Sequence, residues 1–305
     1  MTESQKDNLV LFPKTLDYYQ IQLTRMLETE RFGDAKALLA FLLQCGGEAE
    51  RHHAEWEALL GWLEAAFPDA KEERPGGPEA EDDGLEDAEE SFRRRLNERS
   101  EQDADYVPRL LQALEAAEDP EQQLLVLGQL SHLEHRDIEP GLRRFLEADE
   151  HYPAVQFKAL QVLRKQGASG PVALWREGER LAVEAEATPL SFDEFPPVVQ
   201  TVLERVRQAA EVSDPTLSYF AEEMWKECVQ AAYGTPVYRR MTDDDDRSCD
   251  LWAAALHQFL IEKLHGRASD EEVREQYGIT GELRFPYEQA LRWLRQFAGE
   301  SGPAT

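Results

Sequence analysis

One stretch of this chain occurs twice. Tyr106-Val107-Pro108-Arg109-Leu110-Leu111-Gln112-Ala113-Leu114-Glu115-Ala116 returns as Ile138-Glu139-Pro140-Gly141-Leu142-Arg143-Arg144-Phe145-Leu146-Glu147-Ala148, 32 residues later. A proline opens the following run in both copies, Pro120 and Pro153, now 33 residues apart, and Leu124, Leu127 and Leu130 recur as Phe157, Leu160 and Leu163. Apolar residues three and four apart mark one face of a helix. Proline at the first helical position gives up only an N–H that has no helical partner. Each copy therefore reads as helix, acidic turn, proline-started helix. A helix pair of this length cannot cover its own apolar stripe, so neighbouring pairs are expected to stack. The fold class that follows is all-α: α-solenoid-like stacked helical hairpins.

The rest of the chain fits around that array. Three helices read out before residue 68. The first, about Lys14 to Thr29, carries Leu16, Tyr19, Leu23 and Leu27. The second starts near Gly33 and stops at Gly46-Gly47, and the third runs from about Glu48 to Phe67 with Trp56, Leu59, Leu60 and Leu63 on one face. Residues 1–67 form an N-terminal helical unit. Residues 68–88, rich in proline, glycine and acid, have too little to bury to offset their ordering entropy. They read as a flexible acidic linker, with an acidic recognition tail as the alternative. Helical repeats fill 89–170. At 171–188 the period changes: Val172, Leu174 and Arg176 alternate with Ala173 and Trp175, Glu177-Gly178 follows, and Leu181 and Val183 alternate again. A β-hairpin fits this pattern, and a continued amphipathic helix is the alternative.

Helices resume over 189–300, before a tail at 301–305. Pro196-Pro197 and Asp214-Pro215 start two of them. Asp243 to Asp246 precedes a long helix that ends at His265-Gly266 and is expected to bury Leu251, Trp252, Ala255, Leu256, Phe259, Leu260 and Leu264. A short helix from Asp270 closes at Gly278, and a last helix is expected from Pro286 to about Ala298.

Two stretches resemble known repeat families. Asp137 to Gly167 is similar to a HEAT-type repeat. Arg25 to Gln44, "RMLETERFGDAKALLAFLLQ", looks like the end of one tetratricopeptide helix and all of the next. As a whole the chain resembles tetratricopeptide- or HEAT-like helical repeat proteins of Bacillus-type bacteria. It departs from the tetratricopeptide pattern in lacking the Trp/Leu-Gly and Pro signature in full tandem, so the resemblance does not imply the peptide groove of that family.

Charge narrows the function classes. The formal net charge is −28, from 61 acidic against 33 basic residues. Such a field repels phosphate backbones and anionic lipid and attracts basic segments, although it also serves simply to keep a large surface in solution. Nucleic acid and membranes are therefore not expected as partners. The bilayer would also need about 20 consecutive apolar residues, and no stretch supplies them. Cys45, Cys228 and Cys249 form no CxxC pair and are odd in number. They read as reduced thiols in a cytoplasmic protein.

No constellation announces chemistry. GxSxG, HExxH, a phosphate-cradling glycine loop with lysine, and a dinucleotide fingerprint are all missing. His52 and His53, and His132 and His135, lack the further ligands that zinc requires. Asp243-Asp244-Asp245-Asp246 lacks the alternate spacing and glycine of a calcium loop. Hence neither a cofactor nor a metal is expected. Residues 269–280 resemble the first helix and turn of a helix-turn-helix, but Pro286 starts the next helix too far from Gly278. The reading is a non-enzymatic protein-interaction scaffold or adaptor whose acidic helical surface receives a protein with a basic segment. Trp175 and Asp243, Asp244, Asp245 and Asp246 are its candidate partner-binding residues. A DNA-binding regulator using the last two helices, and an enzyme whose site is not visible as a motif, are the alternatives.

Overall fold

The computed structural model describes residues 9–11, 13–28, 31–47, 51–67, 93–94, 96–98, 100, 102–210, 215–266 and 270–300. The acidic linker expected at 68–88 lies outside the described residues. Two compact units divide the chain, Met1–Leu142 and Arg143–Thr305.

The first unit begins with a short strand β1 (Leu9–Leu11), helices α1 (Pro13–Glu28) and α2 (Phe32–Leu42), strand β2 (Cys45–Gly47) and helix α3 (His53–Ala66). The three helices match the expected ones. The strands were not expected: Leu9 pairs in parallel with Cys45, and Leu11 with Gly47, so the glycine pair that ends α2 also serves as a sheet edge. Leu39 and Leu42 of α2 and Leu63 of α3 are fully buried. Phe32 stacks on Phe67 at 4.2 Å, and His53 Nε2 meets the Cys45 carbonyl at 2.9 Å.

Next among the described helices come α4 (Tyr106–Ala116), α5 (Pro120–Leu130) and α6 (Ile138–Ala148), so the repeated segments are helical in both copies. Pro108 and Pro140 each fall in the first turn of their helix, where no hydrogen bond is lost. Asp119 caps α5 by accepting from the Glu121 N–H at 3.1 Å, with Pro120 behind it. The two copies touch: a Cβ on Gly141 would lie 2.8 Å from a Leu111 methyl, so this glycine lets the second copy approach the first.

The second unit takes up the remainder of α6 and then α7 (Pro153–Lys165), strands β3 (Pro171–Arg176) and β4 (Glu179–Glu184), α8 (Pro197–Ala210), α9 (Pro215–Ala232), α10 (Pro236–Met241), α11 (Asp246–His265), α12 (Asp270–Gln276) and α13 (Gly281–Glu300). The strands form the expected antiparallel hairpin, with Val172 opposite Val183 and Arg176 opposite Glu179. Both turn residues have positive φ, 53° at Glu177 and 73° at Gly178, as a two-residue hairpin loop demands. Glutamate is a poor residue for that conformation, and Glu150 compensates: its carboxylate accepts from the Glu177 N–H and, at 3.1 Å, from the Gly178 N–H.

Helix α11 is the axis of this unit. All ten residues from 251 to 260 are buried, because α8, α9 and α13 pack around it. Leu264 corrects the expected core list, being 39% exposed one turn beyond the covered stretch. The last helix is a second correction. It begins at Gly281 rather than Pro286, with the Leu283 N–H bonded to the Thr280 carbonyl at 3.1 Å. Pro286 lies in its second turn, where the ring costs one hydrogen bond but does not end the helix. Among the described residues no helix is long and apolar enough to cross a membrane.

Candidate binding clefts in the C-terminal unit

Alternation along β3 decides which of its side chains meet the core. Val172, Leu174 and Arg176 face inward and are buried, while Ala173 and Trp175 lie on the other face and are half-buried. Trp175, singled out from the sequence, donates its indole N–H to the Glu147 carbonyl at 3.0 Å, and its own carbonyl accepts from Gln156 Nε2 at 2.7 Å. Its polar end is thus engaged in anchoring the hairpin.

Arg176 is the unusual residue. Only 7% of it is exposed, and its Nε and Nη1 donors are buried without an acceptor. Burial pulls its pKa down to about 10, and the Glu150 and Glu177 carboxylates act in the opposite direction, so it stays charged at neutral pH. The guanidinium lines a cleft of about 630 Å³ beneath the hairpin turn. Glu150, Glu177 and Glu179 surround it, and Pro153, Val237 and Trp293 supply apolar wall. Trp293 is held parallel to Phe297, ring centres 5.6 Å apart. The sequence did carry a signal for Arg176, since it is a charged residue on the inward phase of an apolar alternation.

A second, mostly apolar groove of about 360 Å³ runs along α9, α11 and α13. Phe220, Met224, Phe259, Leu264 and Phe297 line it, with Glu223, Glu227 and Lys263 as its charged groups. Phe220 is 44% exposed and meets the more exposed Tyr219 edge to face at 5.6 Å. Burial, and then the neighbouring Glu223 carboxylate, push the Glu227 carboxyl above its ordinary range. Lys263 lies 5.8 Å from the centre of the Phe259 ring.

The aspartate run lines neither cleft. Asp243, Asp244, Asp245 and Asp246 are exposed at the start of α11, with Asp245 at the cap position and Asp246 bound to Arg205 at 2.7 Å. Among the described residues no group of three or more His, Cys, Asp or Glu is gathered to hold a metal. The histidines have local duties: His52 faces Glu55 at 3.2 Å, His135 Nδ1 accepts from the Asp137 N–H at 3.2 Å, and His151 stacks on Phe145 at 3.7 Å. All three cysteines are buried free thiols, and burial pushes each thiol up.

The turn between α12 and α13 is tighter than the sequence suggested, since α13 starts three residues after Gly278. Two of the three bases of α13 are committed to carboxylates, Arg284 to Glu288 at 3.0 Å and Arg295 to Glu262 at 2.6 Å, while Arg292 is exposed.

Compared with known proteins, the chain is similar to the TPR repeat-containing protein YsoA of Bacillus subtilis (strain 168), at 27% identity over 163 residues. The match covers 53% of this chain and 46% of that protein, so the chain spans about half the length of this curated relative. No family model matches, and no solved structure matches. Paired amphipathic helices, one small antiparallel hairpin and this likeness agree on a tetratricopeptide-like helical repeat fold.

Proposed function

We propose that this chain is a protein-interaction scaffold, and that the groove along α9, α11 and α13 receives an apolar segment of a partner protein flanked by basic residues. The observation that carries this reading is the groove itself. Its floor is aromatic and aliphatic, Phe220 stands open at its edge, and Glu223 and Glu227 bring two carboxylates to one side. Apolar contact supplies affinity in such an arrangement, while charge speeds the encounter and selects the partner. A cation arriving beside Glu227 relieves a carboxylate held next to another. The net charge of −28 extends the same preference over the surface. The likeness to a TPR repeat-containing protein supports a binding role. A DNA-reading role has less support, because Arg284 and Arg295 already hold carboxylates and leave only Arg292 to α13 for a phosphate.

The test is affinity capture on the full chain across a salt series, with Phe220→Asp and Glu227→Gln run in parallel. Proteins that bind the parent should be lost with Phe220→Asp, and with Glu227→Gln their recovery should vary less steeply with salt. Recovery that is unchanged by Phe220→Asp, or no partner at any ionic strength, would sink the reading.

A further inference from the structure

We propose that the cleft beneath the β3–β4 hairpin binds a carboxylate on a ligand that also carries a positive charge, with Arg176 taking the carboxylate at the floor and Glu177 and Glu179 taking the cation at the mouth. The two clefts share Phe297 in their linings, but this site does not depend on the groove reading.

The argument starts from what the guanidinium lacks. An arginine buried to 7% exposure normally satisfies its donors, because a buried charged donor without an acceptor costs more than a neutral one. Here Nε and Nη1 meet none. Glu150 lies close enough to act on the charge, yet its two oxygens are occupied by the amides of Glu177 and Gly178, which fix the hairpin turn. The positive charge is partly balanced and the hydrogen bonds are not made. Both of these donors are enclosed, so a carboxylate in the cleft meets the guanidinium through its remaining nitrogen, Nη2, and completes the balance of charge.

Charge then selects among anions. Glu150, Glu177 and Glu179 line the cleft with a single arginine, so a phosphate dianion meets three carboxylates. A monoanion tethered to a cation is matched at both ends. Register fixes the distance between them at about one side chain, since Arg176 is the direct cross-strand partner of Glu179. Between the two poles, Pro153, Val237 and Trp293 offer apolar wall for an aliphatic stem. The volume, about 630 Å³, falls in the range of small-ligand sites. A basic amino acid meets all these conditions, either free or as the last residue of a chain.

Calorimetric titration of the full chain distinguishes the sources. The ligands are free L-lysine, a tetrapeptide ending in lysine with a free carboxylate, and the same tetrapeptide amidated. Binding of either free-carboxylate ligand is expected, and amidation should weaken the peptide at least tenfold. Equal binding of free lysine and peptide assigns the site to the amino acid, whereas binding of the peptide alone assigns it to chain termini. In Arg176→Gln and Arg176→Lys the preference for carboxylate over amide should fall below twofold, with the thermal melt of each variant confirming that it is folded. Glu179→Gln, on the exposed rim, should weaken the lysine peptide severalfold and leave a norleucine-ended peptide unaffected. The proposal is overturned if the parent binds carboxylate and amide equally, or binds none of the three at millimolar concentration.

Discussion

In the helix pair of residues 106–130, the buried Tyr106 hydroxyl donates to Gln129 Oε1 at 2.9 Å, and the buried Gln123 amide donates to the Ala117 carbonyl at 2.8 Å. In the second copy the positions of Tyr106 and Gln129 are held by Ile138 and Val162, both fully buried. At the Tyr106–Gln129 pair the two copies thus hold both hydrogen-bonding partners or neither, which are the two inexpensive solutions for a buried position. The cleft in the C-terminal unit follows another rule. Arg176 is buried with two donors unmet, although Val172 and Leu174 on the same strand face show that an apolar residue suits this surface. Gln156 and Gln258 each leave one buried oxygen without a donor, but their amide nitrogens are bonded, to Trp175 and Glu262. A polar group that only stabilises a fold is expected to be satisfied by it. Where the fold leaves such a group unsatisfied, stability has been given up for something else.

The strongest way to break that contrast is to displace the hairpin that sets Arg176 in place. Gly234 has φ of 79°, and a Cβ there would lie 2.5 Å from Val183 Cγ1 on β4. Gly234→Ala combines a disfavoured backbone with an overlap against a side chain that has no free rotation to escape, and should cost roughly 2–4 kcal/mol in denaturant unfolding. Loss of less than about 1 kcal/mol would mean that the hairpin is not packed on that turn.

Next in size is the arginine itself. If Arg176 serves the fold, its removal should destabilise. If it serves a ligand, an apolar residue of similar length should be neutral or stabilising by about 1–3 kcal/mol, as replacements of buried ionic groups often are. Arg176→Met is predicted to melt at or above the parent's temperature. A melt well below it would return Arg176 to the fold and remove the contrast with Tyr106 and Gln129.

How much of this was legible depended on how local the signal was. The duplicated helices and the hairpin turn at Glu177-Gly178 are written in adjacent residues, and the coordinates agree with both. Helix α10 is missing from the expected set although Thr235-Pro236 spells a cap followed by a first-turn proline, and the Thr235 hydroxyl does accept from the Tyr238 N–H at 3.2 Å. Pro286 misled in the other direction, because proline as a starting signal outweighed Gly281 to Phe285, whose turn is anchored by Thr280. The pairing of β1 with β2 joins residues more than thirty apart over only three positions, and no local pattern reports it. Of the clefts, single residues were readable and their meeting was not. The cleft beneath the hairpin draws on residues from Glu150 to Phe297. Trp175 stands out by its place in the alternation, but the charge one position along, on the buried phase, is the more informative anomaly.

The smallest effect concerns a buried polar group of the C-terminal unit that obeys the rule of the helix pair. His257, at 3% exposure on α11, shares a 2.9 Å hydrogen bond between its Nδ1 and the Tyr277 hydroxyl, and burial holds its pKa below the ordinary value of 6.5. The fold therefore keeps the imidazole neutral where the unfolded chain takes up a proton. Its contribution is complete above pH 6.5 and is lost as pH falls from there toward the lower folded value, because over that window the unfolded state binds more protons. One such group can change stability by at most about 1.4 kcal/mol per pH unit, and partial desolvation should give a few tenths. His257→Asn retains a polar group near Nδ1 and cannot titrate. Its unfolding free energy, followed from pH 7.5 to 5.5, should fall less steeply than the parent's. Parallel curves would mean that His257 is protonated in the fold as readily as out of it, and that the satisfied hydrogen bond to Tyr277 does not keep it neutral.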